Sequence, residues 1–153
     1  MSYSPRFVAF IPFIMKEECS WPEDRSGQYS NTPGDPGGPT KFGIDQRSSP
    51  RVNIRQLTYD QAMEIYWNQY WVGHGVEEHA YPLGEAFMNS CVNGGHPDVW
   101  VKLGDAKKFI EAQEQYYKDL CAYWKRKGKP DPYKFLPDWL GRTARLRTYL
   151  HLN

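Results

Sequence analysis

Apolar positions return at helical spacing along most of this chain, and one long polar stretch breaks the rhythm near its start. Phe7, Val8, Phe10, Ile11, Ile14 and Met15 follow a helical period. Ser4 can cap this helix, with Pro5 at its first position, where a missing N–H costs nothing. At about 100° per residue, the mean apolar direction lies within roughly 10° of Glu18 and about 90° from Glu17. The wheel therefore turns Glu18 toward the apolar side and Glu17 toward water. Pro12 is expected to kink the helix. The segment faintly resembles a signal peptide after Arg6, but Pro12 interrupts it, no A-x-A site follows, and it is too short to span a bilayer. A buried first helix is the better reading.

Residues 22–39 are rich in Pro and Gly with Asp, Ser and Asn between, which marks an exposed loop or small hairpin. Thr40 to Asp45 follows as a short strand. Thr58 and Gln61 form a capping box that opens a second helix, running to about Trp71. A third helix spans Pro82 to Asn93 and stops at Gly94-Gly95. Asn89 and Asn93 lie four apart on one of its faces, placed either to hydrogen-bond a sugar amide or to cap the helix end. Pro97 to Leu103 reads as a short helix. Asp105 caps a longer one through about Arg126, with Lys125-Arg126-Lys127 in the last turn, where cations suit the dipole. A last helix covers roughly Pro137 to Leu150, with Arg142, Arg145 and Arg147 expected in solvent. The pattern predicts a mainly α domain with one small β element.

Composition narrows the chemistry. The net charge of +1 gives no field for nucleic acid. The three Cys are odd in number and without metal-site spacing, which predicts reduced thiols made in a cytoplasm. The four His form no zinc pattern, which argues against a zinc amidase. Six Trp and eleven Tyr are enough to fill a core and still leave rings to stack on sugars. Glu18 is the residue with chemical promise. A carboxyl held on an apolar face resists ionisation, and a general acid needs that. A glycoside hydrolase requires such an acid and a second group across the sugar. Asp35, with Thr40 beyond a Gly-rich turn, stands where that group could come from.

These residues resemble glycoside hydrolase family 108, the N-acetylmuramidases of phage endolysins. The resemblance rests on Asp35-Pro36-Gly37-Gly38-Pro39-Thr40-Lys41-Phe42-Gly43-Ile44. Leu57-Thr58 through Tyr66-Trp67 and Tyr70-Trp71, and Phe87 to Gly95, extend it. Phe135-Leu136-Pro137-Asp138-Trp139-Leu140-Gly141-Arg142 is similar to the ending of the family's associated peptidoglycan-binding region. Glu18-Cys19-Ser20-Trp21 stands where the family has E-G-G-Y, so only the Glu is kept and an insertion precedes Asp35. A second register, Gly27-Gln28-Tyr29 onward, needs no gap and would put Ser26 at the acid position. The apolar helix before Glu18 favours the first.

The resemblance implies a lysozyme-like α+β fold with a hairpin or loop beside the active-site helix. It implies a single domain over 1–153, with residues 1–94 catalytic and 95–153 a helical peptidoglycan-binding region. It implies cleavage of the β-1,4 bond after N-acetylmuramic acid without metal or cofactor, with Glu18 as general acid, Asp35 as charge stabiliser or base, and Thr40 positioning water. Tyr29, Trp67, Tyr70, Trp71, Asn89 and Asn93 are the candidate sugar contacts. A monomer is expected to act on glycan strands of the wall after release from a bacterial cytoplasm, with no nucleic-acid partner and no stable membrane insertion. The tip Glu23-Asp24-Arg25 is expected at the cleft rim, with Ser26 outside the groove.

Overall fold

In a computed structural model, residues 2–19, 27–129 and 133–153 are described, without the side chains of Cys19 and Tyr133. The loop tip and Ser26 lie outside them. The protein is mainly helical with a two-stranded antiparallel sheet, an α+β build of lysozyme type. The chain divides into two compact units, Met1–Gly73 and His74–Asn153. Helix α3 (Leu83–Asn93) belongs to the second. Its central residues from Gly84 to Ser90 are all buried, and it packs with the helices that follow it.

The first unit opens with α1 (Pro5–Cys19), whose start is tied by the Phe7 N–H donating to Ser4 Oγ at 3.2 Å. Pro12 sits inside it on the exposed side. Phe7, Phe10, Ile11, Ile14 and Met15 are essentially fully buried. The strands β1 (Thr40–Lys41) and β2 (Ile44–Asp45) form a hairpin, where the sequence suggested one strand. Helix α2 (Tyr59–Tyr66) starts at the predicted Thr58–Gln61 capping box.

Beyond Tyr66 the backbone changes to a π-helix over Trp67–Val72. The Gly73 N–H donates to Asn68 O five residues back, at 3.0 Å. A Cβ on Gly73 would lie 2.4 Å from Gln69 O, so only glycine closes this wide turn. Phe7 meets the edges of Trp67 and Trp71, joining α1 to the π-helix.

The second unit holds α3, a short α4 (Pro97–Trp100), α5 (Ala106–Arg126) and α6 (Leu136–Tyr149). Asp105 caps α5 as expected, accepting from the Lys108 N–H at 2.9 Å. Helix α5 packs against α3, α4 and α6. Two of the three α6 arginines depart from expectation. Arg142 is 8 % exposed and its Nε donates to Asn89 Oδ1 at 3.0 Å. Arg147 grips Glu114 with two bonds of 3.1 Å each. The guanidinium's fixed fork suits both tasks, and its hydrocarbon stem packs along the core. Among the described residues no helix is long and apolar enough to cross a membrane.

Candidate functional site

The site starts from the last turn of α1. Glu17 and Glu18 are both half-buried, so the wheel overstated their difference. What separates them is a neighbour. A Cβ on Gly43 would lie 2.5 Å from Glu18 Cβ and 3.2 Å from its Cγ. The hairpin tip therefore lies directly against the stem of Glu18, at a distance that only a glycine allows.

The local sequence dictates that tip. Lys41 pairs with Ile44, which leaves Phe42 and Gly43 as a two-residue turn. Both have positive φ, 53° and 73°, the turn type whose twist matches a hairpin. A left-handed Phe costs about 1–2 kcal/mol. Burying a Phe ring returns about 1.5–3 kcal/mol, so the strained conformation holds. The ring is 1 % exposed, sits under Gly27 and meets the edge of Tyr59. Its carbonyl accepts a buried hydrogen bond from Tyr66 Oη at 2.8 Å. Tyr66 thereby locks the hairpin to α2, and its hydroxyl would be 2.7 Å from a Cβ on Gly43.

From the tip the hairpin leads to the second group of candidates. Thr40 pairs with Asp45 at the hairpin's base, and Thr40 also exchanges two backbone bonds with Ser30, at 2.8 and 2.9 Å. Thr40 Oγ1 donates to Gly38 O at 3.1 Å. The loop 35–39 is stitched to the exit of β2. The Gln46 N–H donates to Pro39 O and the Arg47 N–H to Gly37 O. Asp35 is exposed and its Oδ1 accepts from the Gly37 N–H at 2.9 Å. A Cβ on Gly37 would touch both Asp35 Oδ1 and Asp45 Cβ, at 3.4 and 3.3 Å. Asp35 and Asp45 thus flank one glycine. Asp45 already holds its own turn, accepting from the Ser48 N–H at 2.7 Å and Ser48 Oγ at 2.9 Å. From Gly43 to Asp45 the strand covers about 7 Å.

The aromatic candidates divide by exposure. Trp71 is 1 % exposed and belongs to the core, so it offers no face to a sugar. Trp67 is half-buried, with Tyr3 and Phe7 at its edges and Trp71 stacked on it at 6.4 Å. Tyr70, also half-buried, leans on Tyr66. Tyr29 lies beneath the Arg55 guanidinium at 4.9 Å, beside the Ser30–Thr40 bridge.

Asn89 and Asn93 belong to the second unit and serve its interior. Asn89 is fully buried and holds Arg142, so it is a structural residue there and not an open sugar contact. Asn93 Nδ2 and Gln113 Nε2 both donate to Tyr117 Oη at 2.9 Å. Burial pushes the Tyr117 hydroxyl above its ordinary pKa, against those two bonds. Among the described residues no group of three or more His, Cys, Asp or Glu is placed to hold a metal ion.

Sequence reasoning passed over Gly43, Tyr66 and Arg55. Gly43 and Tyr66 lie within the family-like motifs and so carried a signal, whereas Arg55 carried none.

Glu18 thus stands at a helix end against a small hairpin, within an α+β fold of lysozyme type. Residues 19–95, half of the chain, match the glycosyl hydrolase 108 family, and the chain belongs to that family. It is thus a glycosidase of the peptidoglycan-hydrolase kind. The matched span takes in Asp35, Thr40 and the aromatic and Asn candidates. It begins one residue after Glu18 and ends before the 135–142 motif. No curated protein and no solved structure matches the chain.

Proposed function

We propose that the protein is an endolysin-type N-acetylmuramidase that cleaves the β-1,4 bond between N-acetylmuramic acid and N-acetylglucosamine. One observation carries this reading: the contact of Gly43 with Glu18, which fixes the acid beside a hairpin whose base holds Thr40 and the Asp35 loop. In the proposed reaction Glu18 gives its proton to the glycosidic oxygen. Asp35 faces the positive charge that develops on the sugar or takes a proton from the attacking water, and Thr40 orients that water. The proposed chemistry is inverting, for which the two carboxyls stand about 6.5–9.5 Å apart. Tyr29, Trp67 and Tyr70 are half-buried rings in the same unit and are the proposed sugar platforms. Residues 95–153 are proposed to hold the wall, which the enzyme reaches after release from a bacterial cytoplasm, as a monomer.

The test is digestion of purified peptidoglycan by wild type and by Glu18→Gln, with mass analysis of the fragments. Wild type should release fragments with a reducing N-acetylmuramic acid end, and the variant should release almost none. Products lighter by one water would show a lytic transglycosylase instead. One observation favours a second reading, a non-catalytic wall-binding protein: the family match starts just past Glu18 and leaves the acid outside it. Intact peptidoglycan after prolonged incubation with wild type would establish that reading.

A further inference from the structure

A concavity lies in the first unit, and none of the residues assigned to cleavage lines it. It has a volume of about 570 Å³ and runs between residues 51–58 and one face of α2 with its π-helical extension. That volume falls in the range of small-ligand pockets, about 300–1,000 Å³. Its walls are pinned by two caps. Asn53 Oδ1 accepts from the Gln56 N–H, and Thr58 and Gln61 close the capping box. The groove is therefore organised before anything binds.

Four polar groups on these walls have no task in the fold. The Arg51 guanidinium, the Glu64 carboxylate and the carboxamides of Asn68 and Gln69 make no hydrogen bond or ion pair with another described residue. All four are exposed. Asn68 and Gln69 ride on the π-helix, a local geometry that recurs at functional sites because it re-aims side chains. Beneath the polar groups lie the apolar stems of Leu57 and Ile65.

We propose that this groove binds the peptide stem of the glycan substrate, an inference that rests on the peptidoglycan reading above. The lining chemistry separates a peptide from a sugar. Among the described residues no aromatic ring lines the groove, so a pyranose would find no stacking face on them. Carboxamides offer a donor and an acceptor each, matching the amides of a peptide backbone. Arg51 suits a carboxylate in a forked pair, and Glu64 suits the ammonium of a diamino acid. A wall stem peptide carries all three features.

The probe is the synthetic tetrapeptide L-Ala-γ-D-Glu-L-Lys-D-Ala, titrated calorimetrically into the full chain. Binding should weaken about tenfold in Arg51→Ala and in Glu64→Gln, the loss of one charge-assisted hydrogen bond each. The same two variants should cleave peptide-free glycan strands at the wild-type rate, while their KM for peptide-bearing strands rises. Peptide-free glycan should not displace the tetrapeptide. Absence of tetrapeptide binding at millimolar concentration overturns the proposal, as does competition by bare glycan. Equal loss of cleavage on both substrates overturns it too, because the groove would then belong to the catalytic centre. Binding is read independently of turnover. A chain that binds the peptide with this pattern yet cleaves no glycan refutes the glycosidase reading and leaves the groove assignment standing.

Discussion

Replacing Gly43 by Ala tests whether the hairpin tip positions the acid. The new methyl would stand 2.5 Å from Glu18 Cβ and 2.7 Å from Tyr66 Oη. Neither neighbour yields easily. The first is the root of a side chain on a helix, and the second is held by its bond to Phe42 O. Overpacking of this kind costs about 1–3 kcal/mol. The left-handed backbone at φ 73° adds about 1–2 kcal/mol. A total of about 2–5 kcal/mol lowers the melting temperature by about 4–20 °C for a chain of this size. Gly38→Ala is the control. Its φ is 71°, but a Cβ there meets only Gln46 Cβ at 3.9 Å, so it bears the backbone cost alone. Melting followed by circular dichroism, with dye release from labelled peptidoglycan well below the transition, separates the two. Gly43→Ala should melt lower than Gly38→Ala and should also lose about a hundredfold in rate, the order expected when a catalytic group moves by about 1 Å. Equal melting points and equal rates for the two variants would refute the positioning argument.

Glu18→Gln should lower lysis by at least about a hundredfold with the melt unchanged, while Glu17→Gln stays near wild type in the same assay. Asp35→Ala should lower activity more than Thr40→Ala with little change in melting. Asp45→Ala should instead lower the melting point, because Ser48 N–H and Oγ lose their acceptor. Asn89→Leu should destabilise by about 1.5–3 kcal/mol in urea melts, since the buried Arg142 Nε loses its acceptor. The Cys91 thiol is pushed up to about 12, first by burial and then by Asp98. Its iodoacetamide alkylation at pH 8, followed by mass, should be slower than that of a free thiol by about a thousandfold, in step with the thiolate fraction. Because the unfolded thiol ionises first, the stability that Cys91 contributes is intact below about pH 8.5 and declines as pH rises toward 12.

Those outcomes depend on features that differ in how plainly the sequence carries them. The helices were legible because each is announced locally. Ser4 with Phe7, Thr58 with Gln61, and Asp105 with Lys108 are contacts three residues apart, which a linear pattern can hold. The π-helix was not legible, because its cause is the close approach of Gly73 to Gln69 O inside an otherwise regular apolar stripe. The burial of Arg142 was not legible either. Helical spacing puts it beside inward residues, but its partner Asn89 is 53 positions away.

The candidate site divides along the same line. Glu18, Asp35 and Thr40 could be named from residue type and order, whereas their relation runs through Gly43 and Tyr66, which carry no reactive chemistry of their own. The aromatic candidates erred in the opposite sense. Residue type suggested four sugar platforms, but Trp71 is spent on the core beside Phe7. A chain with 16 % aromatics in one short domain must bury many of them, since each carries more apolar surface than any other side chain. On the proposed reading, recognition of the amide-bearing stem then falls to polar side chains that the core does not use. In the first unit these gather along the groove that Arg51, Glu64, Asn68 and Gln69 share. The division of labour this proposal implies is physical: buried rings make the scaffold stiff enough to hold one carboxyl against a hairpin, and exposed amides and charges on the same scaffold would read the substrate away from the bond to be broken.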